Sequence, residues 1–279
     1  MDCYQFKFLK NSLLDKFLSI IKNPYKVYLY YNTYVKNKLI KFEYKNLIVS
    51  YPKSGRTWIH EILKLYAFKM YSDNNEYLQG LIHINKNTIK FDHDCSDWVP
   101  YPKKVLHIKN KKSFNGKTII LIRDPREIIV SSWYHLTFRE KINTKKISDF
   151  IDDDYLGISK IINFYNLINE KLINNSIVIG YESLCKNTLA EVVKILKYFK
   201  IEINQKIISE CISECSFKNL QKKEISKNKV DNQNSLKFRK GKIGNFHEDL
   251  NEQDLKKINN YIALNLNRNF KKILKLEDI

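Results

Sequence analysis

From Leu47 to Leu63 the chain reads LIVSYPKSGRTWIHEIL: an apolar run, a loop holding Lys53, Ser54, Gly55, Arg56 and Thr57, then an amphipathic stretch. Gly55 frees the backbone to wrap closely around an oxyanion, and N–H groups of the turn and helix start point inward. Ser54 and Thr57 add hydroxyl donors, and Lys53 adds positive charge near a bridging oxygen. Such a loop suits a phosphate-like anion; an ordinary strand-to-helix turn is the plain alternative. The pattern GxxxxGK[ST] occurs nowhere, so triphosphate hydrolysis with magnesium lacks its main support.

Two more segments carry candidate anion ligands. In IRDPREIIVSSWYH, Arg123 offers a planar fork suited to phosphate, and Ser131 follows about two helical turns later. Alone, the segment reads equally as an Arg–Asp pair with an incidental serine. In FRKGKIGNF, Arg239 and Lys240 precede Gly241 inside a long basic stretch. A lid bringing charge to an anion accounts for it, and so does a solvated loop.

These groups need a frame. NLIVSYP, NTIKFDH (87–93), GKTIILIRDP (116–125) and NSIVIGYESL (175–184) read as strands, each followed by polar or charged residues. Helical patterns separate them: TWIHEILKLYAFKMY, REIIVSSWYHLTFRE with Pro125 in its first turn, NTLAEVVKILKYFK capped by Asn187 or Thr188, and NQKIISECISECS. The alternation predicts an α/β fold, a single domain over 1–279 with a central parallel sheet flanked by helices. Residues 1–45 are expected as a helical segment packed on it, 218–245 as a flexible basic lid loop, and NEQDLKKINNYIALNLNRNF as one closing helix. Ligands of such sheets bind beyond the carboxyl ends of the strands. There the sequence sets Lys53–Thr57, Asp92-His93-Asp94, Arg123-Asp124 and Tyr181-Glu182, converging on one crevice.

The net charge is +19, but lysines are spread along the whole chain, so the surplus reads as compositional before it reads as a nucleic-acid footprint. Five cysteines without a CxxC pair suggest neither a disulfide framework nor a zinc site, and no metal is expected. The first residues lack a continuous apolar core, and no window approaches the ~20 apolar residues of a membrane span, so a soluble cytoplasmic protein is expected.

Together YPKSGRTW, RDPREIIVSSWYH and RKGKIGNF, in this order, resemble the signature segments of sulfotransferases that use 3′-phosphoadenosine 5′-phosphosulfate (PAPS). The resemblance covers roughly residues 45–260 and implies a P-loop-like strand–loop–helix at the phosphosulfate. It assigns Lys53, Ser54, Gly55, Arg56 and Thr57 to the phosphosulfate end, with Trp58 beside the adenine. It gives the 3′-phosphate to Arg123 and Ser131, joined by Arg239, Lys240 and Gly241, and the base to Tyr181 and Phe217. It further implies sulfuryl transfer to a hydroxyl or amine of a small-molecule or glycan acceptor, without metal. A histidine acts as general base and Lys53 as charge stabiliser. His93, leaving a strand end, is preferred over His107, which lies in the basic segment KKVLHIKN.

Departures from the family pattern are Arg56 in place of a threonine, no Lys-Thr-His step at either histidine, and GNFH in place of Gly-Asp-Trp-Lys. No segment matches the family's Lys-Thr-Val-Glu dimer motif, which leaves the oligomeric state open. A nucleotide-binding relative without catalysis, and a basic nucleic-acid-binding protein, are the other readings; nucleic acid is not the expected partner.

Overall fold

The run Ile119–Ile122 has no polar break because the strand it belongs to is covered on two sides. Ile119 and Leu121 join one core, Ile120 and Ile122 the other, as the two-residue period of a strand requires. This is seen in a computed structural model describing residues 46–73, 80–93, 116–141, 143–154, 156–172, 176–228, 232–241 and 243–279, with the side chains of 169–172 and 228 left aside. Residues 1–45, Asp94 and His107 lie outside the described residues.

Five strands form one sheet: β1 (Asn46–Ser50), β2 (Leu81–Ile84), β3 (Asn87–Asp92), β4 (Lys117–Ile122) and β5 (Ser176–Gly180), in the order β2-β3-β1-β4-β5. β3, β1, β4 and β5 run parallel, so their carboxyl ends share one sheet edge. β2 pairs antiparallel with β3 through a turn in which Asn85 takes φ 55°, a conformation asparagine tolerates. This edge hairpin is an addition to the sequence reading; His83 at an inner position broke its apolar pattern.

On one face β1 to β3 pack against α1 (Arg56–Tyr71), α6 (Thr188–Tyr198) and α7 (Gln205–Glu214) through Ile59, Ile62, Leu63, Tyr66, Ile195 and Ile208. On the other lie α2 (Pro125–Tyr134), α3 (Ile147–Ile151), α4 (Ile158–Leu172), α10 (Glu252–Asn265) and α11 (Arg268–Leu274). α5 (Tyr181–Lys186) starts directly at the end of β5, and Asn187, as expected, caps α6 by accepting from the Ala190 N–H.

Three sequence boundaries need correcting. Phe217–Asn228 is helical (α8), so the expected lid loop is shorter than 218–245. Only Leu220 and Glu224 of that helix are buried among its described side chains, and a buried carboxylate at an i+4 position hides the apolar period. The closing helix is two, because Asn267 caps α11 from its own side chain. The helix after Pro125 ends as a π-helical turn over His135–Arg139. A short helix, α9 (Phe246–Asp249), precedes α10. Among the described residues no helix is long and apolar enough to cross a membrane.

The end of β4 is held from α4. The hydroxyl of fully buried Tyr165 accepts from the Arg123 N–H at 2.9 Å and donates to the Arg123 carbonyl at 2.7 Å. Tyr165→Phe strands both peptide groups. It should lower the unfolding free energy by about 1–3 kcal/mol in denaturant titration, and an unchanged midpoint would refute this role.

Candidate active site

One cavity of about 440 Å³ opens beyond the carboxyl ends of the parallel strands. Of the residues singled out from sequence, Lys53, Gly55, Arg56, Thr57, Trp58, His93, Arg123, Ser131, Tyr181, Phe217, Arg239, Lys240 and Gly241 all line it. Ser54 does not: it is buried beneath the loop. The loop near position 55 and the basic segment near position 240, far apart in sequence, therefore face the same space.

The loop follows β1 immediately. Lys53 takes φ 71° and Gly55 φ 90°, two left-handed residues within three, which curls the backbone ahead of α1. The first turn of α1 has no acidic residue and no side-chain cap, so the positive end of a 16-residue helix faces the loop. Glycine is required at 55 twice over, since a Cβ there would come within 2.6 Å of the Tyr181 ring. Lys53, holding the unfavourable conformation for a side chain, is a point of strain at the centre of the site.

Arg123, at the end of β4, ties the segments together. Its guanidinium donates to the Lys53 carbonyl at 3.0 Å and to Glu127 at 2.9 Å, and stacks over the Tyr181 ring at 4.2 Å. Asp124 caps α2 and clasps Arg126 with both carboxylate oxygens, so Arg126 points away over Phe246. Glu127, Val130, Ser131 and Tyr134 recur at helical spacing and turn one face of α2 toward the cavity.

The basic segment is fixed by side chains the sequence reading did not single out. Arg239 stacks over Tyr134 at 3.6 Å and approaches Asp249, and Lys240 reaches Glu248 at 2.7 Å and Asp249 at 3.2 Å. Tyr134 donates to Asp249 at 2.6 Å. From α8, Gln221 donates to the carbonyls of Phe238 and Arg239 at 3.0 and 3.1 Å. Glu224 accepts from the Lys237 and Phe238 N–H groups at 2.9 and 3.2 Å and pairs with Arg139. Gly241, φ 65°, lies flat on Phe217, where a Cβ would meet the ring at 2.4 Å. Trp58 donates to the Cys215 carbonyl at 3.0 Å and meets Tyr181 edge-on with centroids 6.4 Å apart.

The charge around Lys53 is lopsided. Its amine is pushed down to about 7, first by desolvation, then by Lys237, Arg123 and Arg139, against Glu224 alone. His93 Nδ1 lies 2.8 Å from the Ser50 carbonyl. A carbonyl only accepts, so Nδ1 carries the hydrogen and Nε2 the lone pair. Desolvation, then Arg56, holds this imidazole down at about 3, so it is neutral at physiological pH. His135, at the start of the π turn, also lines the cavity and is held down at about 3 by desolvation, Lys53 and Arg139. His135, Arg139 and Lys237 were missed in the sequence; Lys237, two residues before Arg239, and His135, one turn beyond Ser131, were the available signals. Among the described residues no group of three or more His, Cys, Asp or Glu could hold a metal ion.

Comparison with known proteins identifies the family. The "Cytosolic sulfotransferase 12" of Arabidopsis thaliana is 25% identical over 254 residues, covering 76% of this chain and 75% of the relative. The "3-beta-hydroxysteroid sulfotransferase" of Cavia porcellus is 25% identical over 233 residues, covering 76% and 80%. The solved mouse sulfotransferase SULT7A1, complexed with PAP, superposes with a TM-score of 0.60 at 19% identity, over 83% of this chain and 87% of that one, and shares the fold. The family model described as "Sulfotransferase domain" matches residues 44–273, and the chain belongs to that family.

Proposed function

We propose that this protein transfers a sulfuryl group from PAPS to a hydroxyl or amine of a small-molecule acceptor in the cytoplasm. The observation that carries the reading is that three sequence-distant segments, at 53–58, 123–131 and 239–241, line one cavity with cationic and hydroxyl side chains. SULT7A1 is a PAP complex, and so is retinol dehydratase, which shares the fold with a TM-score of 0.58 at 15% identity over 85% of this chain and 86% of that one. PAP is the product such a transfer leaves.

In this reading the loop N–H groups, Thr57 and Lys53 hold the phosphosulfate, while Arg123, Ser131, Arg239, Lys240 and Gly241 hold the 3′-phosphate. Trp58, Tyr181 and Phe217 enclose the base, whose flat faces suit aromatic contact. Ser54 acts from below, shaping the loop. His93 takes the acceptor's proton at Nε2 as the acceptor oxygen bonds to sulfur. The bond from sulfur to the 5′-phosphate oxygen breaks, and Lys53 stabilises the charge left on that oxygen. The imidazole, weakly basic in the empty cavity, gains basicity as the donor's negative charge enters beside it.

The direct test is calorimetry with 3′,5′-adenosine bisphosphate, followed by transfer of labelled sulfate from PAPS. Absence of binding at millimolar nucleotide would end the proposal; binding without transfer to any acceptor would favour the non-catalytic relative.

Three further outcomes are expected. The bound nucleotide favours the charged amine, so the pKa of Lys53, about 7 when empty, must rise on binding. Below about pH 7 the amine is charged in both states. Above that, binding takes up a proton and affinity falls by up to about tenfold per pH unit. Affinity that stays level or rises between about pH 7 and 8.5, measured in two buffers of different ionisation enthalpy, would contradict this. Lys53→Ala should reduce turnover by about 100-fold or more, as loss of a positioned transition-state charge does, with the far-ultraviolet spectrum retained; near-normal rates would refute its role. His93→Ala should lower kcat about 100-fold or more while nucleotide affinity stays within about threefold, and an active variant would move the base to His135 or His107.

A further inference from the structure

Arg239 and Lys240 reach the cavity from a segment that belongs to no strand of the sheet. The Asn232 side chain accepts from the Asn234 N–H at 2.9 Å and starts a 3₁₀ turn over Gln233–Ser235, after which Leu236 is extended and buried. Backbone polar groups taken from water need partners, and here helix side chains supply them. Glu224 accepts from the Lys237 N–H at 3.0 and 2.9 Å and from the Phe238 N–H at 3.2 Å. Gln221 donates to the Phe238 and Arg239 carbonyls at 3.0 and 3.1 Å, and Arg139 donates to the Ser235 carbonyl at 3.2 Å. Phe238 itself stands edge-on to Phe217, with centroids 5.9 Å apart.

Gln221 and Glu224 are three positions apart and so share one face of α8. Neither lines the cavity. The Glu224 side chain is only 7% exposed, and a carboxylate held that far from water must be hydrogen-bonded and paired. Two backbone N–H groups and the Arg139 guanidinium meet that need. Arg139 lies in the π turn that continues α2, the helix carrying Ser131 and Tyr134, so this ion pair also ties α2 to α8.

We propose that Gln221 and Glu224 are positioning residues for the 3′-phosphate: from outside the cavity they hold the backbone that presents Arg239 and Lys240 to it, before any nucleotide arrives. Tyr134 and Asp249 steer the two side chains, but their reach depends on where that backbone stands. With the segment released, the cations would have to be gathered on binding, and the ordering cost would fall on recognition of the 3′-phosphate. The 5′ end of the nucleotide, held by the loop after β1, does not draw on these contacts.

This inference rests on the sulfotransferase reading, and the experiment separates the two. The full chain is titrated by calorimetry with 3′,5′-adenosine bisphosphate and with adenosine 5′-monophosphate, which lacks the 3′-phosphate. Failure of the wild type to bind the bisphosphate sinks the enzyme reading. The wild type should prefer the bisphosphate. In Glu224→Gln and in Gln221→Met that preference should fall about fivefold or more, with monophosphate affinity within about twofold of wild type. Gln221→Met changes no charge. Glu224→Gln removes a negative charge, which by itself would favour the more highly charged nucleotide, so a fall reports placement and not charge. A preference kept in either folded variant, both nucleotides weakened alike, or a wild type indifferent to the 3′-phosphate would overturn the proposal. If neither variant folds, amide exchange of the wild type decides. In the empty protein the Lys237 and Phe238 N–H groups should exchange about 100-fold or more slowly than in an unstructured chain, and exchange at the unstructured rate would overturn it.

Discussion

The structure depends on a repulsion it does not resolve by itself. Lys53, Arg56, Arg123, Arg139, Lys237, Arg239 and Lys240 are gathered around one cavity, and among the described residues its lining holds fewer carboxylates than cations. Crowding like charges in a desolvated space is costly, and here the cost falls on Lys53, whose amine is pushed down to about 7. An arriving polyanion relieves that repulsion and is held by it. A metal ion in the same space would add to the charge that the cavity already fails to balance.

Carboxylates serve as anchors for these cations. Glu127 orients Arg123, Asp249 receives Tyr134 and Lys240, and Glu224 binds Arg139 together with two backbone N–H groups of the segment after α8. These carboxylates neutralise part of the charge of the cations they touch and fix where the remainder points, which is pre-organisation for an anion. The glycines do the complementary work. Gly55 against Tyr181 and Gly241 against Phe217 allow backbone to lie on aromatic rings with no side chain between, so loop and segment have rigid backing.

Much of this was legible in the sequence. Three of the parallel strands were marked by apolar runs and β3 by alternation of apolar and polar residues, and the residues after them could be listed from the sequence. The loop residues stood out because lysine, serine, glycine and threonine rarely crowd between a strand and a helix without purpose. Most of what escaped has a common cause. Glu224 sits at an apolar position of α8 and made a helix read as a loop, and Lys237, Arg139 and His135 resemble the ordinary polar residues around them. Their meaning comes from tertiary neighbours more than 80 positions away, as with Arg139 and Glu224. The hairpin strand β2 escaped for a different reason: it is four residues long and His83 interrupts its apolar pattern, so its pairing with β3 rather than its own pattern makes it a strand.

The central claim is that desolvation, reinforced by neighbouring cations, lowers the affinity of Lys53 for its proton until an anionic nucleotide restores it. The ammonium of Lys53 can be followed directly by NMR of the chain labelled with ¹³C at lysine Cε, its signal assigned through Lys53→Arg. The account requires a titration midpoint near 7 in the empty protein, moving upward when 3′,5′-adenosine bisphosphate is added. A midpoint at the ordinary lysine value of about 10.4, unmoved by nucleotide, would contradict it.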